Sequence, residues 1–332
     1  MRISVPIVLL LLMAACVTTR ENRIDKLRVI FDTDTNNELD DQHALAYLLL
    51  NGGTFNVAGI TVNATHSGGN IGSQYAEAER VMRLCGYHSA LPLYKGADAN
   101  FDSIRYKVGN DNFDGSEAVN FIIQETKRSG NEKLVIIAVG KLTNVALALA
   151  KAPSISRQMK VVWLGANYPA PGEYNLENDT ASMNYVLKSD VEFEMATVRY
   201  GEPSGTAAVT ITQKEVNERM PGKGPEIIIP VAGRHGGEFK TFGDYSVNLF
   251  EHIDYHGDPP SRALFDMAAV AIVKNPGWAE GTVIPCPLYI NGAWVEKPDN
   301  KRKITVWQNF NKKEILDDFY YTIDNYELVE FQ

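Results

Sequence analysis

Positive charge is scarce in this chain: 32 Lys and Arg stand against 41 Asp and Glu in 332 residues, a formal net charge of -9. Binding to nucleic acid needs Lys and Arg gathered on one surface to meet phosphates, and no such cluster occurs, so nucleic acid is excluded as a partner. Cysteine is nearly absent as well. Only three occur, with no Cys-x-x-Cys and no Cys/His pairing at metal spacing, which argues against a thiolate metal site or a dithiol redox motif. Cys85 and Cys286 are expected as buried free thiols, with pairing in an oxidising compartment left open. Internal repeats and low-complexity linkers are missing too. What is present, 45% hydrophobic and 22% charged residues, suits one large α/β domain.

No apolar run is long enough to cross a bilayer as a mature helix. The longest, Ile3 to Ala15, follows a single cation at Arg2 and has the length of a signal-peptide core. It closes in Leu12-Met13-Ala14-Ala15-Cys16, which resembles a bacterial lipoprotein cleavage site, although Met13 is unusual there. Residues 1–16 are therefore expected to be a lipoprotein-type signal peptide. The protein is expected to be exported, periplasmic or anchored to the outer membrane through a lipid on Cys16, with ordinary secretion as the alternative.

Apolar runs at Leu27 to Phe31, Val57 to Val62, Leu134 to Val139, Val161 to Leu164 and Met195 to Val198 read as strands. Amphipathic segments between and after them read as helices: Asp41 to Leu50, Gly72 to Cys85, Ser116 to Lys127, Leu142 to Ala150, Ala181 to Leu187, Ser246 to Ile253 and Arg262 to Val273. The alternation predicts a mostly parallel central sheet with helices on both faces. Ligands of such sheets bind beyond the carboxyl ends of the strands. Four strand ends carry polar residues: Asp32 to Asp34, Asn63 onward, Val139-Gly140, and Gly165-Ala166-Asn167. The stretch Tyr200 to Gly243, with several Gly and Pro, is expected as a lid or pocket edge.

The first strand runs into Asp32-Thr33-Asp34, and Leu39-Asp40-Asp41 then opens a helix; with Glu38, five carboxylates fall within ten residues. Aspartate near a helix N-terminus is favourable by about 0.3 to 1 kcal/mol, which accounts for one or two of them. Packed together at a strand end, the rest would raise one another's pKa unless a cation compensated them. A hard, oxygen-seeking ion such as Ca²⁺, which tolerates irregular carboxylate and carbonyl coordination, fits this composition.

With that cluster the chain resembles the inosine-uridine preferring nucleoside hydrolase family, whose hallmark is Asp-x-Asp followed by Asp-Asp on a βα turn. Ala138-Val139-Gly140-Lys141-Leu142-Thr143-Asn144 is similar to the family's loop that offers a backbone carbonyl to calcium. Asn167 with Glu173-Tyr174-Asn175 resembles its ribose-binding segment, and Phe265-Asp266-Met267 its late His-Asp motif. The resemblance implies a nucleoside hydrolase-like catalytic domain over 24–332 and a Ca²⁺ cofactor held by Asp34, Asp41, the Val139 carbonyl and Asp266. It places Asp40, Asn167, Glu173 and Asn175 on the ribose hydroxyls, with Asn63 or Asn70 beside them. The implied reaction is hydrolysis of the N-glycosidic bond of a small-molecule riboside, with Asp34 as the base that takes a proton from the attacking water. Self-association is left open.

Two features depart from the family pattern. Five residues, Thr35 to Leu39, lie between Asp34 and Asp40 where the pattern has three with a Pro-Gly turn, so Asn36, Asn37 or Glu38 is expected to enter the pocket. Phe265 replaces a histidine that protonates the departing base. His235, His256 and Tyr255 are conceivable substitutes, and Tyr168, Tyr174, Phe239, Phe242, Tyr245 and Tyr255 are available to face the base. Two rival readings follow: a surface-anchored protein that binds a nucleoside or sugar without cleaving it, and an aspartate-nucleophile phosphatase. The second lacks the Thr or Val expected where Asn36 stands, and gives Asp40-Asp41 no role.

Overall fold

The structure is a computed structural model, and it describes residues 26–87, 91–130 and 132–330. The signal-peptide and Cys16 expectations lie outside those residues. Six parallel strands form the centre of one sheet: β1 (Leu27–Thr33), β2 (Phe55–Val62), β3 (Leu93–Lys95), β4 (Leu134–Ala138), β5 (Met159–Leu164) and β6 (Glu192–Ala196). Their spatial order is β3-β2-β1-β4-β5-β6, continued by Lys303–Gln308, parallel to β6, and by the edge strand Glu280–Pro285, which is antiparallel. The expected architecture, a mostly parallel sheet with helices on both faces in a single domain, is the one observed.

Strands buried on both faces need apolar side chains pointing each way, which is why β4 reads Leu-Val-Ile-Ile-Ala without alternation. The sheet divides the core in two. Val29 and Phe31 face the layer that holds helix α1 (Asp40–Leu49) and the helix Phe265–Lys274. Ile30 faces the layer of Ser116–Arg128, Thr143–Lys151 and Thr180–Lys188. From β1 the chain winds outward through β2 and β3, then returns and winds the other way through β4, β5 and β6. The carboxyl ends of β1 and β4 therefore flank the switch point where such sheets bind ligands.

Several boundaries differ from the sequence reading. The helix expected from Arg262 begins at Phe265, because Ser261–Ala263 is instead a short strand paired antiparallel with Thr210–Thr212. The helix expected at Ser246 to Ile253 runs Phe242–Phe250, started by Thr241, whose hydroxyl accepts from the Asp244 amide. The strand expected to reach Val198 stops at Ala196. The segment from Tyr200 holds a helix, Gln213–Arg219, and a two-residue hairpin, Val231–Ala232 with Glu238–Phe239. β3, Lys303–Gln308 and the C-terminal helix Lys312–Asp324 were not anticipated. Cys85 and Cys286 are buried free thiols, as expected.

Candidate active site

The turn between β1 and α1 is closed by the Asn37 amide donating to the Asp34 carbonyl at 2.8 Å. The helix N-cap is Leu39, with no side-chain cap, so neither Asp40 nor Asp41 is occupied in capping. Both are buried in the first turn of α1, and Asp34 is only 1% exposed. Asp266 joins them from the first turn of Phe265–Lys274. Carboxylate oxygens of Asp40, Asp41 and Asp266 lie within 4.8 Å of one another, a grouping that could hold a metal ion.

Burial pushes the Asp34 carboxyl up to about 6 and the Asp40 carboxyl up to about 7, Thr65 opposing the shift at Asp34 and the Asp34 charge adding to it at Asp40. Asp41 and Asp266 are raised well above the usual range by burial, and after it by the neighbouring carboxylates. Among the described residues, no Lys or Arg forms an ion pair with Asp34, Asp40, Asp41 or Asp266. Lys141 comes near enough to favour the Asp34 charge, but its Nζ is spent on the Asp98 and Ala99 carbonyls and Asn100 Oδ1. Such a set holds charge comfortably only with a cation bound, and all-oxygen carboxylate donors suit a hard divalent ion.

These groups open on a cavity of about 620 Å³, the size of a small-molecule site. Of the residues singled out in the sequence, Asp34, Asp40, Asp41, Val139, Glu173, Asn175 and Asp266 line it together. Glu173 adopts φ 132°, a region that L residues rarely visit. Its carboxylate accepts from the backbone amides of Ala166, Asn175 and Leu176 at 2.9 to 3.0 Å, which fixes the loop after β5 against the cavity. Burial nevertheless raises its carboxyl to about 7. Asn175 Nδ2 donates to the Val139 carbonyl at 2.7 Å and to the Leu164 carbonyl at 3.2 Å, tying the ends of β4 and β5. A carbonyl oxygen has two lone pairs, so Val139 retains one for a metal.

Three expected ribose contacts sit elsewhere. Asn63 is fully buried under the turn, donating to Asp32 Oδ2 at 3.2 Å. Asn70 accepts from the Ser73 amide as the N-cap of helix α2 (Ile71–Leu84). Asn167 bridges the Tyr200 amide and the Pro171 carbonyl, loop turn chemistry rather than a face of the cavity. Of the aromatic candidates only Tyr174 lines the cavity. Phe239, Phe242 and Tyr245 pack in or against the core, Tyr255 donates to the Phe250 carbonyl, and Tyr168 donates to Glu296. Tyr200 and Phe265 supply two further rings of the wall, their centroids 6.0 Å apart edge to face. Of the proposed histidine substitutes, His256 lines the cavity, whereas His235 stacks on His252 outside it. Asn37 and Glu38 reach the cavity from the long turn, while Asn36 is turned away onto the Gly68 carbonyl. Tyr200, Thr210 and Arg262 carried no sequence signal of their own, because single polar residues in an irregular segment match no motif.

The inosine-uridine preferring nucleoside hydrolase family model matches residues 29–317. The chain belongs to that family. It is accordingly an N-ribosyl hydrolase. In fold the hydrolase is similar to a purine-preferring ribonucleoside hydrolase from Gardnerella vaginalis, with TM-score 0.68 and 20% identity over 89% of this chain and 98% of that one. It is likewise similar to an inosine-uridine preferring nucleoside hydrolase from Bacillus anthracis, with TM-score 0.64 and 16% identity over 90% and 99%. An uncharacterized Schizosaccharomyces pombe protein is 25% identical over 245 residues, 65% of this chain and 75% of that protein.

Proposed function

We propose that this hydrolase cleaves the N-glycosidic bond of a ribonucleoside or related riboside, releasing base and ribose, and that it depends on Ca²⁺ held by Asp34, Asp41, Asp266 and the Val139 carbonyl. The observation that carries the reading is the convergence of four buried, mutually repelling aspartates, none of them ion-paired with a Lys or Arg among the described residues, on the wall of one cavity of nucleoside size. Asp40 stands in the same carboxylate trio as Asp41 and Asp266, so its share between ion and ribose is part of the proposal. When bound, the ion supplies a fixed positive charge that orients the ribose hydroxyls and makes a water easier to deprotonate.

The chain's own residues do the rest. Asp34 takes a proton from the attacking water, a task that favours a carboxylate poised closer to neutrality than usual. Asp40, Glu173 and Asn175 orient the sugar by accepting from its hydroxyls, through carboxylate oxygens and Asn175 Oδ1, the Asn175 Nδ2 hydrogens being held by the Val139 and Leu164 carbonyls. Backbone groups at the ends of β4 and β5 hold Glu173 and Asn175, so the developing positive charge on the ribose meets acceptors already in place. Tyr174, Tyr200 and Phe265 shield the base from water.

The test is ribose release by the mature protein from a panel of nucleosides and a nitrophenyl riboside, with calcium and with a chelator. Calcium-dependent release that is lost in Asp34→Ala supports the reading. Calcium binding and riboside binding without release would instead establish a non-catalytic binding protein. We further propose export as a lipoprotein; incorporation of labelled palmitate by the full chain, and its loss in Cys16→Ser, tests this.

A further inference from the structure

The reaction proposed above leaves one charged pair that lines the cavity, Arg262 and Glu38, unused. Arg262, in the strand Ser261–Ala263, lines the cavity with its side chain only 11% exposed. Its Nη2 is ion-paired with Glu38 Oε2. Its Nε is buried with no hydrogen-bond partner among the described residues. Glu38 comes from the long turn Thr35 to Leu39, and that turn is pinned rather than loose. Asn36 Nδ2 donates to the Gly68 carbonyl at 2.6 Å, the Asn36 amide to Gln74 Oε1 at 2.6 Å, and the Asn37 amide to the Asp34 carbonyl at 2.8 Å. The extra residues therefore carry a carboxylate to a fixed place, and that carboxylate holds a guanidinium.

Ribose, on the reading above, is held by Asp34, Asp41, Asp266 and Glu173. The base must then lie against the other residues that line the same cavity, which include Arg262, Glu38, Thr210, Tyr200 and Phe265. One carboxylate occupies one of five guanidinium N–H donors or a pair of them, so donors and charge remain. A guanidinium does not give up its proton at ordinary pH, so it stabilises a leaving group without acting as an acid. This matches the absence of a histidine at Phe265.

We propose that Arg262, positioned by Glu38, is the leaving-group residue of this hydrolase, and that its substrates are ribosides whose base departs as an anion with charge on a ring nitrogen or carbonyl oxygen. The proposal rests on the N-ribosyl hydrolysis described above. The C1′–N bond breaks with both electrons passing to the base, the water oxygen bonds to C1′, and Asp34 receives the water's proton. The base anion leaves against the guanidinium and is protonated by solvent. Nε itself is buried, so the base meets the charge of the guanidinium rather than that N–H.

The experiment compares Arg262→Gln, Arg262→Lys and Glu38→Gln with the wild type on uridine, inosine and 4-nitrophenyl riboside in calcium. Nitrophenolate leaves readily unaided, so Arg262→Gln should lower kcat/KM for the two nucleosides by roughly 100-fold or more and that for the nitrophenyl riboside by no more than about threefold. Added guanidinium ion should restore part of the nucleoside rate in Arg262→Gln alone. Equal losses on all three substrates, or no loss, would overturn the proposal. Should Arg262→Gln melt below the assay temperature, the other two variants decide: both must lose more on nucleosides than on the nitrophenyl riboside. A wild type that cleaves none of the three overturns the parent reading and this one together, whereas a wild type that cleaves all three with uniform variant losses overturns only this one.

Discussion

Thr65 Oγ1 donates a 2.6 Å hydrogen bond to Asp34 Oδ2, binding the loop after β2 to the carboxylate at the end of β1. Burial raises the Asp34 carboxyl to about 6, and this hydrogen bond is the largest influence holding it down. A hydroxyl donated to an ionised carboxylate is a strong bond because the acceptor is charged. In Thr65→Val the ionised form loses that donor, so the Asp34 carboxyl rises further. A base must be deprotonated to act. The acid limb of the kcat/KM profile should therefore move to higher pH than in the wild type, with a larger deficit on the acid side than near pH 8. A uniform loss across the profile, with no displaced limb, would mean that Thr65 only packs.

Removal of the base itself should be harsher. Asp34→Asn keeps the volume and the contacts of the turn but cannot take a proton, so kcat should fall by about 10² to 10⁴-fold. Single-turnover ribose release measures it. A variant retaining more than about a tenth of the wild-type rate assigns the base elsewhere.

The carboxylate cluster should make the metal-free protein sensitive to pH in an unusual direction. Asp40 is raised to about 7 from an ordinary 3.8, and Asp41 and Asp266 are raised as well. A carboxyl whose folded pKa lies above its unfolded value favours the fold when protonated. Its contribution is whole below the unfolded value near 3.8 and is lost as pH rises through the folded value near 7. In chelator the Tm should therefore fall by several degrees between about pH 5 and about pH 8, and calcium should remove or reverse that slope. A Tm that rises over this range in chelator is incompatible with the cluster as described.

The same repulsion predicts a trade between stability and metal binding. Asp266 is 3% exposed, and its strongest electrostatic neighbours are Asp40 and Asp41. Asp266→Asn removes one charge at nearly constant volume. In chelator near pH 8 it should melt a few degrees above the wild type, an effect of about 1 to 2 kcal/mol, yet gain nothing from added calcium. Scanning calorimetry with and without calcium separates the two effects.

The turn from β1 into α1 was the most legible part of the chain because two signals coincide there: an apolar run that can only be buried, and acids too numerous for capping. Asp34, Asp40, Asp41 and Asp266 all reach the cavity as expected. Asparagine was less legible. Asn70, Asn167 and Asn175 look alike in a sequence, and only the third touches the strand-end carbonyls; the others satisfy a helix cap and a loop. The sequence pattern extends the helix back to Arg262 because the apolar periodicity of Phe265–Lys274 has no sharp start, and the pairing that draws Ser261–Ala263 into a strand involves Thr210–Thr212, about fifty residues away. Long-range pairing of that kind leaves no local pattern. β3 and Lys303–Gln308 were invisible for a related reason: they are held by neighbours in the sheet, and their own alternation is short or mixed.

Gly140 offers the most local check on the geometry of the site. Its carbonyl accepts from Trp163 Nε1 at 3.0 Å, so the backbone after β4 is held from behind. A Cβ at this position would stand 2.7 Å from Asp34 Oδ1 and 2.8 Å from Asn63 Oδ1. Neither neighbour is a free side-chain end, since Thr65 restrains Asp34 and Asp32 restrains Asn63. Gly140→Ala must therefore push the carboxylate itself, and overpacking of this kind costs about 1 to 3 kcal/mol. Displacement of a base by a fraction of an ångström has a larger effect on rate than on folding, so kcat/KM should drop roughly 100-fold while Tm falls by only a few degrees. Gly109→Ala, where nothing lies within 4 Å of the added methyl, is the matched control and should be silent in both assays. An active Gly140→Ala enzyme with an ordinary Tm would show that the Asp34 carboxylate need not sit where β1 holds it, and would remove the geometric support for its role as the base.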